Sequence, residues 1–324
     1  MSIDRPAAAD IHLARDIRQG LGHTPKRISS KYFYDDRGSE LFRQIMRMEA
    51  YYPTRCEYEI FDTHRERLRH LLAGDGGAFQ LIEFGAGDGL KTKLLLGHLL
   101  DHDTDFSFSP IDISGDALRQ LHAALAGEFP RLRVRPIEDD YFRALQHLHD
   151  ETDQRKVVLF LGSNIGNFTR DEAVAFLGRL HAHLRPGDRV LIGFDLKKDP
   201  AVILRAYDDE EGITRAFNLN LLDRLNRELG ADFDPRAFRH WPTYDPATGE
   251  TRSYLVSTRR QTITFAAIDY RVTLQAWEPI WLELSQKYDL PQIEALAQSA
   301  GFDLVAHLHD SRRWFVDSVW EKGG

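Results

Sequence analysis

Three glycines at alternate positions, Gly85, Gly87 and Gly89, follow the acidic residue Glu83 at the end of a short apolar run. The run predicts a strand and the residues after it predict a helix, so the glycines occupy a strand-to-helix turn. Because glycine has no side chain, the backbone of such a turn can approach a ligand closely. The pattern therefore indicates a site for a nucleotide-like ligand, although a tight turn that binds nothing has the same glycines.

The spacing of these glycines differs from two common nucleotide-binding motifs. A dinucleotide fingerprint ends Gly-x-x-Gly or Gly-x-x-Ala, and here Leu90 occupies the last position. A P-loop has glycine directly before lysine, and here Leu90 separates Gly89 from Lys91. An acidic residue before Gly-x-Gly-x-Gly is instead typical of the Rossmann-like methyltransferases, which bind S-adenosylmethionine.

Acidic residues follow the next two predicted strands. Asp112 ends the second strand, where a carboxylate can accept hydrogen bonds from both ribose hydroxyls of a nucleoside. Asp140 and Tyr141 follow the third strand, where a carboxylate can accept from an adenine amino group and a ring can cover the base. Open α/β sheets bind ligands at the carboxyl ends of their strands, so these residues and the glycine loop form one candidate site. The alternative role of each aspartate is a helix N-cap.

Short apolar runs alternate with amphipathic stretches from about residue 79, which predicts a parallel sheet with crossover helices. The predicted strands are Gln80–Phe84, Phe106–Ile113, Arg131–Pro136, Val157–Leu161 and Val190–Phe194. The predicted helices between them are Leu90–Leu100, Gly115–Glu128, Tyr141–His149 and Arg170–Leu184. The fold class is therefore α/β, with a doubly wound sheet of the Rossmann-like type.

The pattern changes after Pro200, where helical stretches and then alternating segments indicate an insertion. The tail returns to α/β form and predicts helix Leu290–Ala300 and strands Leu304–His309 and Trp314–Val319, which we expect to complete the same sheet. We therefore predict a methyltransferase domain of residues 61–199 with 286–324. The segment inserted after Pro200 would form a second lobe.

Composition limits the partners of the chain. Its formal net charge is −8 and its pI is about 6.0, so it has no basic field to gather nucleic acid. Cys56 is the only cysteine, which excludes an intrachain disulfide and a thiolate metal site. The sequence has no apolar stretch like a membrane span or a signal peptide. We expect a cytoplasmic monomer that acts on a small molecule, with neither nucleic acid nor a membrane as a partner.

Two pairs of histidines have spacings that a metal site can use. His98 and His102 lie four apart on a predicted helix, and His307 and His309 alternate on a predicted strand. Neither pair has a convincing third ligand near it in the sequence. We therefore expect no metal, and interpret these histidines as surface or partly buried residues.

Motifs along nearly the whole chain resemble those of the histidine Nα-methyltransferases of ergothioneine biosynthesis. Several such motifs in the same order are more specific than the glycine loop alone. The motifs are Lys31–Phe42, Tyr51–Arg55, Lys91–Thr92, Leu161–Asn167, Ala206–Asp209, Asn226–Asp234 and Glu283–Lys287.

This resemblance implies a second, α+β substrate-binding domain of residues 1–60 with 200–285. It also implies roles for individual residues. The methyl donor, S-adenosylmethionine, would be bound by Gly85, Gly87, Lys91, Asp112, Asp140 and Tyr141. The acceptor, L-histidine, would be held at its amino and carboxylate groups by Tyr51, Asn167 and Tyr207. Its imidazole would be bound by Glu283 and Ser285, and Tyr34 would lie near the reacting amine.

Each of these residues also has an ordinary structural interpretation. Tyr34, Tyr51 and Tyr207 are equally compatible with core tyrosines, and Asn167 with a helix cap. A carboxylate and a hydroxyl two residues apart on a strand, such as Glu283 and Ser285, point to one face, and together they can bind an imidazole. The same pair is also compatible with an exposed edge strand.

The implied reaction adds up to three methyl groups to the α-amine of histidine, giving Nα,Nα,Nα-trimethylhistidine (hercynine). Two positions depart from the family. Tyr254 stands where we align a methionine that borders the imidazole pocket, and Asn164 replaces a threonine in the strand-end motif. These departures bear on the substrate rather than on the reaction class. The alternatives are another amino acid or a histidine derivative as the acceptor, or a non-catalytic regulator that binds the donor.

Overall fold

Residues 11–74 and 76–324 are described by the computed structural model. The chain forms two compact units. The central-sheet unit contains Pro53–Lys197 and Gln286–Gly324, and the N-terminal unit contains the chain up to Tyr52 together with Lys198–Ser285. Each unit has its own buried hydrophobic cluster, as expected for a domain.

Helices and strands alternate through much of the chain. The helices are α1 Ile11–Gly22, α2 Asp36–Arg47, α3 Tyr52–Thr63, α4 Arg65–Ala73, α5 Thr92–Asp101, α6 Gly115–Glu128, α7 Tyr141–Glu151, α8 Arg170–Ala182, α9 Pro200–Tyr207, α10 Ile213–Leu229 and α11 Leu290–Ser299. The strands are β1 Lys26–Arg27, β2 Phe79–Phe84, β3 Phe106–Asp112, β4 Ile137–Glu138, β5 Arg155–Phe160, β6 Arg189–Asp195, β7 Phe238–Asp245, β8 Glu250–Ser257, β9 Gln261–Phe265, β10 Tyr270–Leu274, β11 Pro279–Gln286, β12 Phe302–His309 and β13 Phe315–Lys322.

A seven-stranded sheet, in the order β12-β13-β6-β5-β2-β3-β4, forms the centre of the central-sheet unit. Strands β2 to β6 pair in parallel, whereas β13 runs antiparallel to both β6 and β12. Every residue of β2 is buried, as expected for a parallel strand that helices cover on both faces. The predicted α/β class is confirmed, and the two strands of the tail complete the same sheet as predicted.

The predicted strand Arg131–Pro136 is wrong. Within it, only Val134 forms a bridge, to Phe108, and the paired strand β4 begins after Pro136. Proline has no N–H to donate to a ladder, so continuous pairing starts at Ile137.

The boundary that we predicted at residue 60 falls within helix α3, and the contacts put it at Tyr52. The helix continues through residue 60, and its residues Cys56, Ile60 and Phe61, on both sides of the predicted boundary, are all buried. Glu57, on the same helix, hydrogen-bonds with the backbone of Gly162 in the central-sheet unit. Residues 53–60 therefore belong to the central-sheet unit and not to the N-terminal unit.

The N-terminal unit is α+β. Its four-stranded sheet has the order β1-β11-β8-β7, and β9 and β10 form a separate antiparallel pair. Helix α10 packs against α2, and its Phe217 and Leu221 belong to the core of the unit. Buried and partly exposed residues alternate along β8 and most of β11, so one face of the sheet is buried and the other carries more polar residues.

Within the described ranges, no helix combines the length and the apolar character that crossing a membrane requires.

Candidate functional site

The glycine loop has the backbone conformation for which glycine is needed. Gly85, Gly87 and Gly89 all have positive φ, of 69°, 55° and 67°. A Cβ atom at Gly89 would lie 2.7 Å from a methyl carbon of Leu121, whereas a Cβ atom at Gly87 would meet no atom within 4 Å. The loop is therefore tightly packed at its helix end and leaves open space at Gly87, where a ligand can approach the backbone.

The acidic residues predicted to accompany this loop lie at the same edge of the sheet. Asp112 ends β3, and Asp140 precedes α7 just after β4. Burial, and then the charges of Asp112 and Asp140, raise the pKa of Tyr141 to about 12, so both carboxylates lie near its hydroxyl. That hydroxyl would be 3.0 Å from a Cβ atom at Gly85. The structure thus brings the loop, both aspartates and Tyr141 together.

Asp112 and Asp140 also have local structural roles. Asp140 is the N-cap of α7 and accepts from the N–H of Phe142 at 3.0 Å, so its alternative role as a helix cap is real. Asp112 accepts from the N–H of Ser114 at 2.9 Å, but the N-cap of the next helix is Ser114 itself. Burial raises the pKa of Asp112, because the ionised carboxylate loses contact with water. A ligand that donates hydrogen bonds to this carboxylate would replace the lost water.

Tyr141 is held in position by stacking. Its ring lies parallel to that of Phe84, with the centroids 4.6 Å apart and an interplanar angle of 2°. Phe84 is the last residue of β2, directly before the glycine loop. The aromatic edge that we predicted beside a base is therefore anchored to the sheet.

Lys91 follows the loop, and its ammonium forms an ion pair with Glu57 of α3. Both oxygens of Glu57 also accept from the N–H of Gly162, at 2.8 and 3.0 Å. Burial alone would lower the pKa of Lys91, but the charge and the hydrogen bond of Glu57, together with the charges of Asp317 and Glu83, offset burial and raise it. Glu57 therefore connects the end of β5 to the start of α5.

Asp317 of β13 is buried beside this pair. Burial, and then the charge of Glu57, raise the pKa of Asp317 well above its usual range. Neither of its oxygens accepts a hydrogen bond from the described residues. The two findings agree if Asp317 keeps its proton, because a neutral carboxyl group can donate to Glu57 and two buried carboxylates would repel each other.

Glu83, the acidic residue before the loop, is buried and has a structural role. One of its oxygens accepts from the hydroxyl of Thr92 at 2.7 Å. Burial raises its pKa to about 8, although Thr92 acts in the opposite direction. Glu83 thus joins β2 to the first residue of α5 across the loop.

The turn after β5 contains two of the positions singled out in the sequence. Gly162 and Ser163 have positive φ, and a Cβ atom at Gly166 would lie 2.9 Å from the carbonyl oxygen of Gln286. Asn164 lies in this turn, and its amide nitrogen would be 3.8 Å from a Cβ atom at Gly85. The substitution of threonine by asparagine therefore lies beside the glycine loop.

Asn167 ends this turn and is exposed. The helix cap proposed as its alternative role is wrong, because α8 is capped by Thr169, whose hydroxyl forms a capping box with Glu172. Asn167 belongs to the central-sheet unit, whereas the other residues assigned to the amino acid lie in the N-terminal unit.

Three tyrosines and two residues of β11 carry the acceptor assignments in the N-terminal unit. Tyr34 and Tyr51 both make edge contacts with the ring of Phe42, with centroids 5.4 and 6.4 Å away. Tyr207, at the end of α9, donates to the hydroxyl of Ser285 at 2.8 Å. Tyr34 has 47% of its surface exposed.

The pKa of the Tyr34 hydroxyl depends on other residues assigned to the acceptor. Desolvation by the surrounding protein, then the charge of Glu283, then Tyr207, raise the pKa of Tyr34 above its usual range. The structure therefore brings Tyr34, Tyr207, Glu283 and Ser285 into one cluster, which we call the acceptor cluster. A tyrosine already keeps its proton at neutral pH, and the raised pKa makes Tyr34 still less suited to act as a phenolate base.

Tyr254 lies on β8, the strand next to β11. Arg252, two residues earlier on the same face, hydrogen-bonds with Tyr254 and lies 5.7 Å from the ring of Trp281. Trp281 precedes Glu283 by two residues on β11, so these side chains share one face of the sheet. Tyr254 therefore lies on the same face as Glu283.

Sequence reasoning missed Glu57 and Asp317. Glu57 lies 26 positions before the nearest residue of the loop motif and has no local signal. Asp317 has a weak signal, because it is an acidic residue inside the apolar run of a strand that we predicted. Neither position in the sequence indicates contact with Lys91.

Comparison with known proteins extends over nearly the whole chain. Residues 13–322 match the family model of histidine-specific, S-adenosylmethionine-dependent methyltransferases. The histidine N-alpha-methyltransferase of Mycolicibacterium smegmatis is 38% identical over 311 residues, covering 96% of this chain and 93% of that protein. The histidine N-alpha-methyltransferase of Mycobacterium tuberculosis is 35% identical, covering 98% of this chain and 94% of that protein.

A longer relative shares the same region. Ergothioneine biosynthesis protein 1 of Neurospora crassa is 29% identical over 310 residues, which cover 93% of this chain and 34% of that protein. The similarity therefore corresponds to about a third of the fungal protein.

Proposed function

Because the chain belongs to the family of histidine-specific, S-adenosylmethionine-dependent methyltransferases, we propose that it methylates the α-amine of L-histidine. Up to three successive transfers give Nα,Nα,Nα-trimethylhistidine (hercynine), a step in ergothioneine biosynthesis. The observation that carries this proposal is the acceptor cluster, in which Glu283 acts on the pKa of Tyr34 and Tyr207 bonds with Ser285.

The donor fits the edge of the central sheet. Open space at Gly87 admits a ligand close to the backbone, and the partly buried carboxylate of Asp112 offers an acceptor for ribose hydroxyls. Asp140 would accept from the adenine amino group, and Tyr141 would cover the base. Gly85 and Lys91 would complete this donor site. When bound, S-adenosylmethionine supplies a methyl group on a positively charged sulfur, and the demethylated donor is the leaving group of the transfer.

The acceptor residues match the groups of histidine. Glu283 and Ser285 supply a carboxylate and a hydroxyl that can bind an imidazole N–H. Tyr51, Tyr207 and Asn167 would hold the amino and carboxylate groups. A carboxylate that reads the ring also selects against side chains without an N–H, because those would leave it unpaired.

The protein's main task is to orient the neutral amine in line with the methyl carbon and to exclude water. The amine nitrogen forms the new N–C bond while the S–C bond breaks. The electron pair of the S–C bond stays on sulfur. Each of the first two transfers leaves a cationic nitrogen that must lose a proton before the next transfer, and the third transfer gives a quaternary nitrogen with no proton to lose. Tyr34 keeps its own proton, so it is suited to orient the amine and to relay that proton to water rather than to act as a strong base.

Cationic products fit an aromatic environment. The trimethylated nitrogen has a fixed positive charge and no N–H to donate, so hydrogen bonding cannot stabilise it. Tyr34 and its neighbour Phe42 offer ring faces that attract such a cation electrostatically. The same rings suit every methylation state of the amine.

Mass spectrometry of the products tests this function. The purified chain is incubated with isotopically labelled S-adenosylmethionine and each amino acid separately. We expect label on histidine alone, with one, two and then three methyl groups appearing in order. Mono- and dimethylhistidine supplied as substrates should be converted to the same final product.

The alternatives predict different results. Label on another amino acid or on a histidine derivative, without label on histidine, would replace the acceptor and keep the reaction class. Tight donor binding without label on any acceptor would indicate a regulator.

We also propose that the chain works as a monomer in the cytoplasm. Light scattering tests the oligomeric state, and fractionation of cells tests the location.

A further inference from the structure

Helices α4 and α5 bring a carboxylate and two imidazoles together on the surface of the central-sheet unit. Glu66 is on α4, while His98 and His102 lie at the end of α5. One ligand atom from each of the three residues lies within 4.8 Å of the other two. The third ligand that we did not expect from the sequence is therefore supplied by another helix.

The spacing is close to that of a zinc site. The Nε2 atoms of His98 and His102 lie 2.8 and 4.0 Å from the same carboxylate oxygen of Glu66, Oε2. Ligand atoms bound tetrahedrally at about 2.1 Å from zinc are roughly 3.4 Å apart. Small rotations of exposed side chains bridge this difference, since Glu66 and His102 are about half exposed.

The surroundings orient these ligands as a metal requires. The Nδ1–H of His102 donates to the carbonyl oxygen of His98 at 2.9 Å, so in the neutral ring Nε2 carries the free lone pair and faces Glu66. A metal-bound histidine commonly has such a bond from its other nitrogen. The carboxylate of Glu66 is held by Arg69, whose Nη2 and Nε donate at 2.6 and 3.0 Å.

The positive charge of Arg69 should weaken the affinity of the cluster for a metal cation, but it leaves Glu66 able to act as a ligand. Arg69, and then His98, hold the pKa of Glu66 well below its usual range, so the carboxylate is ionised. His70 contacts the other oxygen, Oε1, at 2.8 Å. Arg69 donates to Oε1 through Nη2 and to Oε2 through Nε. A carboxylate has about four lone-pair sites, so Oε2 can bind a metal beside the bond from Nε, while Oε1 keeps Nη2 and His70.

We propose that Glu66, His98 and His102 form a binding site for a divalent transition-metal ion of the zinc class, with water as the remaining ligand. Two imidazoles and one carboxylate suit zinc, nickel and copper, and they disfavour magnesium and calcium, which prefer oxygen ligands. The bound ion connects α4 to α5. Binding requires unprotonated imidazoles and therefore weakens in acid.

Zinc titration of the untagged full chain tests this site. The chain is first treated with a chelator, and zinc is then added in competition with a chromogenic chelator at pH 7.5. We expect one equivalent of zinc to bind more tightly than the weak background of the 14 histidines. His102→Ala and Glu66→Gln should each weaken that equivalent at least tenfold, and magnesium should not compete.

His122→Ala is the matched control, because His122 is an exposed histidine on the neighbouring helix α6. It should bind zinc like the unaltered chain. Circular dichroism establishes that each variant is folded, and zinc should raise the midpoint of thermal unfolding only where the site is intact. Equal zinc affinity in His102→Ala, Glu66→Gln and the unaltered chain would overturn the proposal. So would the absence of any equivalent tighter than the background.

Discussion

Glu283 is the residue on β11 that the proposed reaction would use to recognise the imidazole ring. We expect Glu283→Ala to raise the KM for histidine by about one to two orders of magnitude, as for a lost hydrogen bond to a charged group of roughly 1.5–3 kcal/mol. Donor affinity should be unchanged. Steady-state kinetics and calorimetry with the demethylated donor measure the two effects separately.

Glu211→Ala is the control for this variant, because Glu211 is an exposed glutamate of the same unit. Its KM should match that of the unaltered chain. An unchanged KM in Glu283→Ala, or an equal loss of donor and histidine affinity, would contradict the role of Glu283 in reading the ring.

Tyr254 shares a sheet face with Glu283, and it is the residue that we align with a methionine of the family. We expect Tyr254→Met to widen the acceptor site, because it removes a ring and a hydroxyl that bonds with Arg252. Turnover of histidine should change less than about tenfold, as for other single contacts in a binding site. Turnover of a histidine derivative with a methylated ring should rise relative to turnover of histidine.

Competition between the two substrates, followed by mass spectrometry, measures this ratio directly. Tyr254→Phe separates the two causes, since it keeps the ring and removes only the hydroxyl. If Tyr254→Met leaves the ratio unchanged, Tyr254 does not border the substrate.

At the scale of elements, α3, α5 and β13 contribute the buried charges below the donor loop. In Glu57→Gln the partly buried ammonium of Lys91 loses its carboxylate partner, which costs about 3 kcal/mol of unfolding free energy. Asp317→Asn replaces a protonated carboxyl with a neutral amide and should cost about 1 kcal/mol or less. Chemical denaturation of the two variants measures this asymmetry.

Donor binding gives a second measure of the same elements. Glu57→Gln should weaken binding of the demethylated donor by about tenfold, because Lys91 and the turn at Gly162 are both released. Asp62→Asn, an exposed change near the end of α3, is the control and should have no effect. Equal destabilisation by Glu57→Gln and Asp317→Asn would mean that Asp317 is ionised.

For the whole molecule, stability should decrease towards both ends of the pH range, for a different reason in each unit. His240 in the N-terminal unit is buried, and burial lowers its pKa from 6.5 to about 4. Its unfolded form therefore binds more protons between these values, and up to about 3 kcal/mol is lost as pH falls from 6.5 to 4. Glu83 in the central-sheet unit has its pKa raised from 4.5 to about 8, so its contribution is lost as pH rises between these values.

Denaturation curves from pH 4 to 9 test this dependence. The stability of His240→Leu relative to the unaltered chain should rise as pH falls from 6.5 to 4. The relative stability of Glu83→Gln, which keeps an oxygen for Thr92, should rise as pH increases to 8. Parallel curves for either variant and the unaltered chain would show that the altered group titrates alike in both states.

Features that arise from neighbouring residues were predictable. Glycine at Gly85, Gly87 and Gly89 indicates a backbone with positive φ, and buried apolar runs indicate parallel strands, because both follow from local sterics and side-chain period. The parallel sheet then puts the residues after β2, β3 and β4 at one edge, which is why Asp112 and Asp140 could be assigned together. The strand predicted at Arg131–Pro136 failed because a single proline moves the pairing by a few residues.

Contacts between distant segments were not predictable. The period of a helix indicates which of its faces is buried, but not which residue it meets. For that reason the sequence alone did not connect Glu57 to Lys91 or Glu66 to His98. These contacts depend on packing across long sequence separations, and the same packing raises the pKa of Asp317 and of Tyr34. Local sterics therefore determined the strands and the donor loop, while packing decided which ionisable groups lie together and in which direction their pKa values shift.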